Sequence, residues 1–413
     1  MLLFISTLLI VTSKKFSRSK RTSGESEQHG KSKRFDCCWI KYSSVFIYVG
    51  WTSTGSMKHA REFHTSSVLS NGKVLVVSGA KGDNAIRSSE LYNPSTHTWT
   101  TAGNLKHPRY FHTASALLDG KQLVTGGGNN DDDILNSAEL FDPTTENWTT
   151  IQHMHEPRAF HAAMTLSNGK VLIIGGANGT NISRSAELYD PSTGNWTFTG
   201  SMVSPRELPT ASILPNGKVL VAGGSPDDST MLNTCELYDP STGLWTATGS
   251  MNQERIFHVA VTLLNGKVLV IGGGVGNQHL IGLNSTELYD PLTGVWTTTG
   301  SMKYPRMLHT ASLLPDGNVL VVGGTDNETN RNIYNSSELY NSSTGVWLDA
   351  GDMLISRAGH TASLLNNRNV LISGGGGTNW TALRSAELYV PSTNSFTASD
   401  INNTLQLSDK SFI

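Results

Sequence analysis

A chain of 413 residues with 41 glycines and only 15% charged side chains has the makeup of a turn-rich all-β protein rather than a helical one. With 31 Lys/Arg against 33 Asp/Glu and a formal net charge of −2, the bulk charge gives no reason to expect nucleic acid as a partner. Three cysteines are too few for a disulfide framework in a chain of this size, and none has the spacing of a metal–thiolate site.

The chain opens Met1-Leu-Leu-Phe-Ile-Ser-Thr-Leu-Leu-Ile-Val, an apolar run too short to span a bilayer and similar to the core of a signal peptide over 1–13. No basic stretch precedes it, and Lys14, Lys15, Arg18, Lys20 and Arg21 directly behind it oppose translocation. The expected location is therefore secreted or extracellular, with a cytoplasmic protein as the alternative. Residues 1–50 are basic, Ser-rich and without periodicity, so they are expected to be disordered. No stable transmembrane span is expected anywhere in the chain.

From Trp51 onward the sequence repeats. Trp99, Trp148, Trp196, Trp245, Trp296 and Trp347 fall 48 to 51 residues apart, and Phe396 takes the next place in phase. Seven positions before each lies an aromatic residue: Tyr92, Phe141, Tyr189, Tyr238, Tyr289, Tyr340 and Tyr389. Within one repeat, His309–Leu314 reads as a first strand and Val319–Val322 as a second, apolar enough to be buried on both faces. Ser337–Tyr340 reads as a third strand, and Val346–Leu348 as a fourth.

Asn-Gly or Asp-Gly between the first two strands (Asn71-Gly72 through Asp316-Gly317) predicts a type I′ hairpin; the seventh repeat has Asn367-Arg368, which predicts strain or another turn. Paired glycines end most second strands, as at Gly323-Gly324, and allow close backbone approach. The double glycine after an apolar strand, then Glu-x-Tyr and a Trp beyond, resembles the kelch family over about 51–398. The resemblance implies a seven-bladed kelch-type β-propeller, four antiparallel strands per blade, preceded by the segment 1–50 and followed by a tail, 399–413. The same fold forms the central domain of galactose-oxidase-like enzymes. Because Trp51-Thr-Ser-Thr-Gly-Ser-Met repeats the fourth-strand phrase at Trp296, residues 51–54 are predicted to join the last blade in competition with 394–398. A single chain closing such a ring is expected to be monomeric.

Each repeat begins Arg-x-x-His, from Arg61 and His64 to Arg357 and His360, except that the fourth has Arg206 and Pro209. Copies in nearly every blade point to a repeated structural bond rather than to a metal or catalytic site; no catalytic residue, metal ligand or cofactor is assigned. The repeated Arg is expected to pair with the repeated Glu, Glu90 through Glu387, of the same or a neighbouring blade. Cys235 reads as a small buried thiol.

Recognition is expected where the repeats differ. Strand alternation places the second-to-third-strand loops on one face with the links between blades, and these loops vary in length and charge. Within them Asp131, Asp132, Asp133, Asp227, Asp228, Trp380 and Arg384 are the candidate contacts to a protein or glycan partner. Trp380 is singled out because it is out of phase with the repeat, whereas the in-phase tryptophans should pack between blades. Asn-x-Ser/Thr sequons at Asn147, Asn178, Asn181, Asn195, Asn284, Asn327, Asn335, Asn341, Asn379 and Asn402 agree with secretion. The rival to a binding module is a copper radical oxidase of the galactose-oxidase kind, or an intracellular kelch adaptor. The oxidase implies a Cys beside a Tyr, a second Tyr and two His, and Cys235 stands beside the repeated Glu-Leu-Tyr strand rather than in a variable loop.

Overall fold

The computed structural model describes residues 40–42, 45–47, 50–130, 133–227, 229–276, 279–327 and 332–391. Seven four-stranded antiparallel sheets follow one another in chain order and form the blades of a propeller. Blade 6 shows the common pattern: Thr310–Leu313, Val319–Val322, Ser336–Asn341 and Val346–Asp352, each strand paired with the next.

The second strand explains why its sequence is apolar throughout. All four of its residues are buried. Alternation sends Val319 and Val321 into the core shared with blade 5, while Leu320 and Val322 enter the core shared with blade 7. Seven hydrophobic clusters thus belong to blade–blade boundaries. The in-phase Tyr and Trp complete these boundaries. Tyr340 and Trp347 stack with centroids 5.1 Å apart, and Trp347 Nε1 donates to Gly300 O of the preceding blade, 2.9 Å away.

The last blade is built from both ends of the described chain. Thr361–Leu364, Val370–Ser373 and Ala386–Val390 supply three strands, and Gly50–Ser53 supplies the fourth, with Trp51 opposite Tyr389. Trp51 is buried and its Nε1 donates to Ser337 Oγ of blade 6 at 3.1 Å. The predicted closure by 51–54 is therefore found; Phe396 and 394–398 lie outside the described residues.

One expectation needs correction. Asn71 has an ordinary φ and only Gly72 is left-handed, at +80°. Gly72 N donates to Leu69 O and Leu69 N to Lys73 O, which makes a three-residue loop ending in a left-handed glycine, not a type I′ turn. The Asn side chain instead secures the exit of the loop. Asn71 Oδ1 accepts from Lys73 N at 3.0 Å, and Asp316 Oδ1 does the same for Asn318 N. In blade 7 the turn keeps this shape, with Arg368 forced to φ +71°, so the departure there is strain. Within 1–50, the segment expected to be disordered, Ile40–Tyr42 pairs with Val45–Ile47 in a short hairpin. The expectation of disorder for the rest of 1–49 lies outside the described residues.

The repeated Arg pairs with the Glu of its own blade in all seven blades. In blade 6, Arg306 Nη1 donates to the carbonyls of Gly323 (2.7 Å) and Ser336 (3.0 Å), and Nη2 to Ser336 Oγ and Glu338 Oε1 (2.9 Å). Glu338 also accepts from the Lys303 and Tyr304 amides of the incoming link. One clamp therefore ties the end of the second strand, the start of the third and the chain arriving from the previous blade. The close packing it holds leaves no room for side chains: a Cβ on Gly324 would lie 2.7 Å from Met307 O. Arg306→Ala strands the buried Glu338 carboxylate and is expected to cost about 3–5 kcal/mol. Urea unfolding of the purified variant measures this; an unchanged midpoint would refute the clamp.

Candidate functional site

The residue before the His in each Arg-x-x-His segment sits in left-handed backbone: Phe63, Phe111, Phe160, Leu208, Phe257 and Leu308 at φ +51° to +56°, and Gly359 at +61°. Bulky side chains in this region are strained and persist only where their surroundings dictate it. Here the cause is a chain of backbone bonds passing from blade to blade: Phe63 N donates to Gly359 O, Phe160 N to Phe111 O, Leu208 N to Phe160 O and Gly359 N to Leu308 O. The side chains so placed form an apolar collar at the axis, with Phe63–Phe111 and Phe111–Phe160 centroids 4.4 and 4.3 Å apart. With the adjoining histidines they line a cavity of about 310 Å³. It opens on the face that carries the variable loops.

The histidines are structural. His Nε2 bonds the Thr hydroxyl of the preceding blade at Thr65–His112, Thr113–His161, Thr210–His258, Thr310–His360 and Thr361–His64, all between 2.8 and 3.0 Å. Where the fourth repeat has Pro209, the preceding blade has Ala162 in place of Thr, so both partners are lost together. Val259 replaces the Thr that would meet His309, whose ring nitrogens have no partner among the described residues. Burial and the neighbouring arginines hold the imidazoles well below their usual range, to about 3 for His161, His258 and His309, so the cavity wall is uncharged at neutral pH. Among the described residues no group of three or more His, Cys, Asp or Glu side chains is arranged to hold a metal ion.

The residues singled out from sequence do not gather at one point. Asp133, Asp227 and Trp380 belong to the loops of blades 2, 4 and 7, and Asp131, Asp132 and Asp228 lie outside the described residues. Asp227 is exposed, and its carboxylate is engaged by Ser229 and Thr230, which hold it down at about 2. Arg384 is exposed. Trp380, expected as a surface contact, is instead buried at 7% exposure. It packs against Phe63 of the collar (6.3 Å between centroids), where Gly359 leaves a gap in the ring.

The sequence reading missed two acids. Glu62 and Glu207 occupy the second place of the Arg-x-x-His segment, where the other repeats have Tyr110, Ala159, Ile256, Met307 and Ala358. Both are buried. The signal was a departure from the repeat inside a segment read for its constant positions. Neither oxygen of Glu62 has a partner among the described residues, and burial, reinforced by the charge of Asp83, pushes its carboxyl up to about 8.

An Arg–Glu clamp in each of seven blades, with double-glycine strand ends in six and a Tyr–Trp boundary in six (Phe141–Trp148 in blade 2), defines a kelch-type β-propeller. The KLHDC2/KLHL20/DRC7 Kelch-repeats domain model matches residues 24–176 and 160–375, and the chain belongs to that family. Comparison with curated proteins gives no match. Matching solved chains number 883, so the fold alone does not choose a chemistry. One is a fungal alcohol oxidase of the AA5 family in complex with copper, with a TM-score of 0.68 and 21% identity over 86% of this chain and 78% of that one. The described residues do not fit such a copper site. Cys235 lies in the apolar core between blades 4 and 5, its thiol is pushed up to about 12 by burial, and five of the axial histidines are bonded to threonine hydroxyls of the preceding blade.

A carboxyl whose folded pKa exceeds its unfolded value takes up a proton on folding, so its contribution to stability falls as pH rises from about 4.5 to 8. Glu62→Gln removes that loss. The variant is expected to match the parent in stability near pH 4.5 and to exceed it at pH 8, by on the order of a few kcal/mol, which raises its melting temperature there. Thermal melts across this range decide it; parallel curves would show that Glu62 is already ionised when folded.

Proposed function

We propose that the protein is a binding module that takes a segment of a protein partner on its variable-loop face, at and around the axial cavity. The observation that carries this reading is the convergence, on one face, of an uncharged aromatic-lined cavity with the second-to-third-strand loops, which differ in length and charge between blades. The opposite face offers near-identical Asn-Gly and Asp-Pro-Ser-Thr-Gly turns, which suit no partner better at one blade than at another. Selection of displayed peptides on the immobilised full chain tests the reading. Replacing the loops 178–184 and 225–233 by Gly/Ser segments of equal length is expected to abolish capture. Charge substitutions at Ser192 and Ser241 on the other face should leave it intact. Capture that survives the loop exchanges, or binding only to an arrayed glycan, would overturn it.

Secretion is part of the same proposal, supported by the exposure of Asn147, Asn178, Asn181, Asn195 and Asn379. Asn284 and Asn335 differ: their Nδ2 atoms donate to Met302 O (3.1 Å) and Met353 O (3.2 Å), as Asn136 and Asn233 do at the same place in other blades. The chain expressed in animal cells is expected to lose mass on endoglycosidase treatment, with Asn284 and Asn335 unmodified by peptide mapping. No mass change, with the protein kept in the cytosol, would point to an intracellular adaptor.

A further inference from the structure

The two departures from the repeat that the scaffold does not need meet at the seam between blades 7 and 1. Glu62 is fully buried, and neither its carboxyl oxygens nor Nε1 of the buried Trp380 have a partner among the described residues. They share one wall: a Cβ on Gly376 would lie 2.8 Å from Glu62 Oε2 and 3.3 Å from the indole. Phe63 completes the group, its ring turned into the gap left by Gly359. Leaving such polar atoms unpaired costs free energy, so an arrangement that keeps three of them side by side points to a ligand that satisfies them.

We infer that this seam is a specificity pocket for a basic side chain, Arg or Lys, of the partner segment. The inference rests on the loop-face reading above. The Glu62 carboxyl gives up its proton to solvent as the cationic head enters and then accepts from it, the rings of Trp380 and Phe63 flank the head, and Trp380 Nε1 donates to the carbonyl of the same residue. A cation is favoured over a neutral amide because it is the ligand that ionises the carboxyl, with Asp83 nearby and no cationic side chain bonded to it among the described residues. Both groups are covered in the free protein, so entry requires the turn Thr378–Trp380 to shift. That turn holds Asn379 and Trp380 at φ +57° each, a conformation from which a non-glycine residue relaxes favourably.

N-acetyl-arginine methylamide and its neutral isostere N-acetyl-citrulline methylamide test the pocket by calorimetric titration of the full chain. The arginine compound is expected to bind at least about tenfold more tightly than the citrulline one. Glu62→Gln should bring it to the citrulline level, and Trp380→Phe should weaken it by a smaller factor. Equal binding of the two compounds, binding of neither, or an affinity unchanged in Glu62→Gln would overturn the pocket. Loop-face peptides that bind Glu62→Gln as well as the parent would overturn it too, while leaving the loop-face reading in place.

Discussion

Every blade depends on one buried ion pair. A guanidinium at the Arg306 position reaches two strand carbonyls, a hydroxyl and a carboxylate, and the carboxylate in turn holds two amides of the incoming link. Such a pair adds little net stability relative to apolar packing, because both charges must be stripped of water. Its value here is geometric. It fixes where the link enters, and thus where the left-handed residue and the histidine fall beside the axis. The apolar second strands supply the driving force; the clamp determines which arrangement that force selects.

Much of this was legible in the sequence because the physics repeats. Residue alternation along Val319–Val322, Tyr and Trp in phase, and Arg and Glu at fixed offsets each recur seven times, and recurrence turns weak local signals into a strong one. Trp51 was readable as a closing strand for the same reason. The turn was misread because Asn-Gly serves two geometries: the pair fixes a left-handed glycine, but whether the Asn is left-handed as well depends on loop length, which the neighbouring residues do not encode.

The candidate site was legible only in part. Loop variability singled out one face of the propeller. It could not show that Trp380 turns inward onto Phe63, since that contact joins residues from different ends of the propeller. Glu62 escaped notice because attention to what recurs hides what differs. In a repeat protein the constant residues describe the scaffold, and a charged residue such as Glu62 at an otherwise apolar, buried place is the more informative one.

The blade completed by Gly50–Ser53 ties folding to synthesis. During translation this strand emerges before the other strands of the propeller and must wait, its edge unpaired, until Ala386–Val390 emerges. Six blades can assemble as they appear, but the ring cannot lock before that last strand is made, and the long-range contact that locks it is slow to find. A truncated product from a premature stop would then carry two open β-edges and an unfilled boundary where Trp51 belongs, a form suited to aggregation and ready for quality control to recognise.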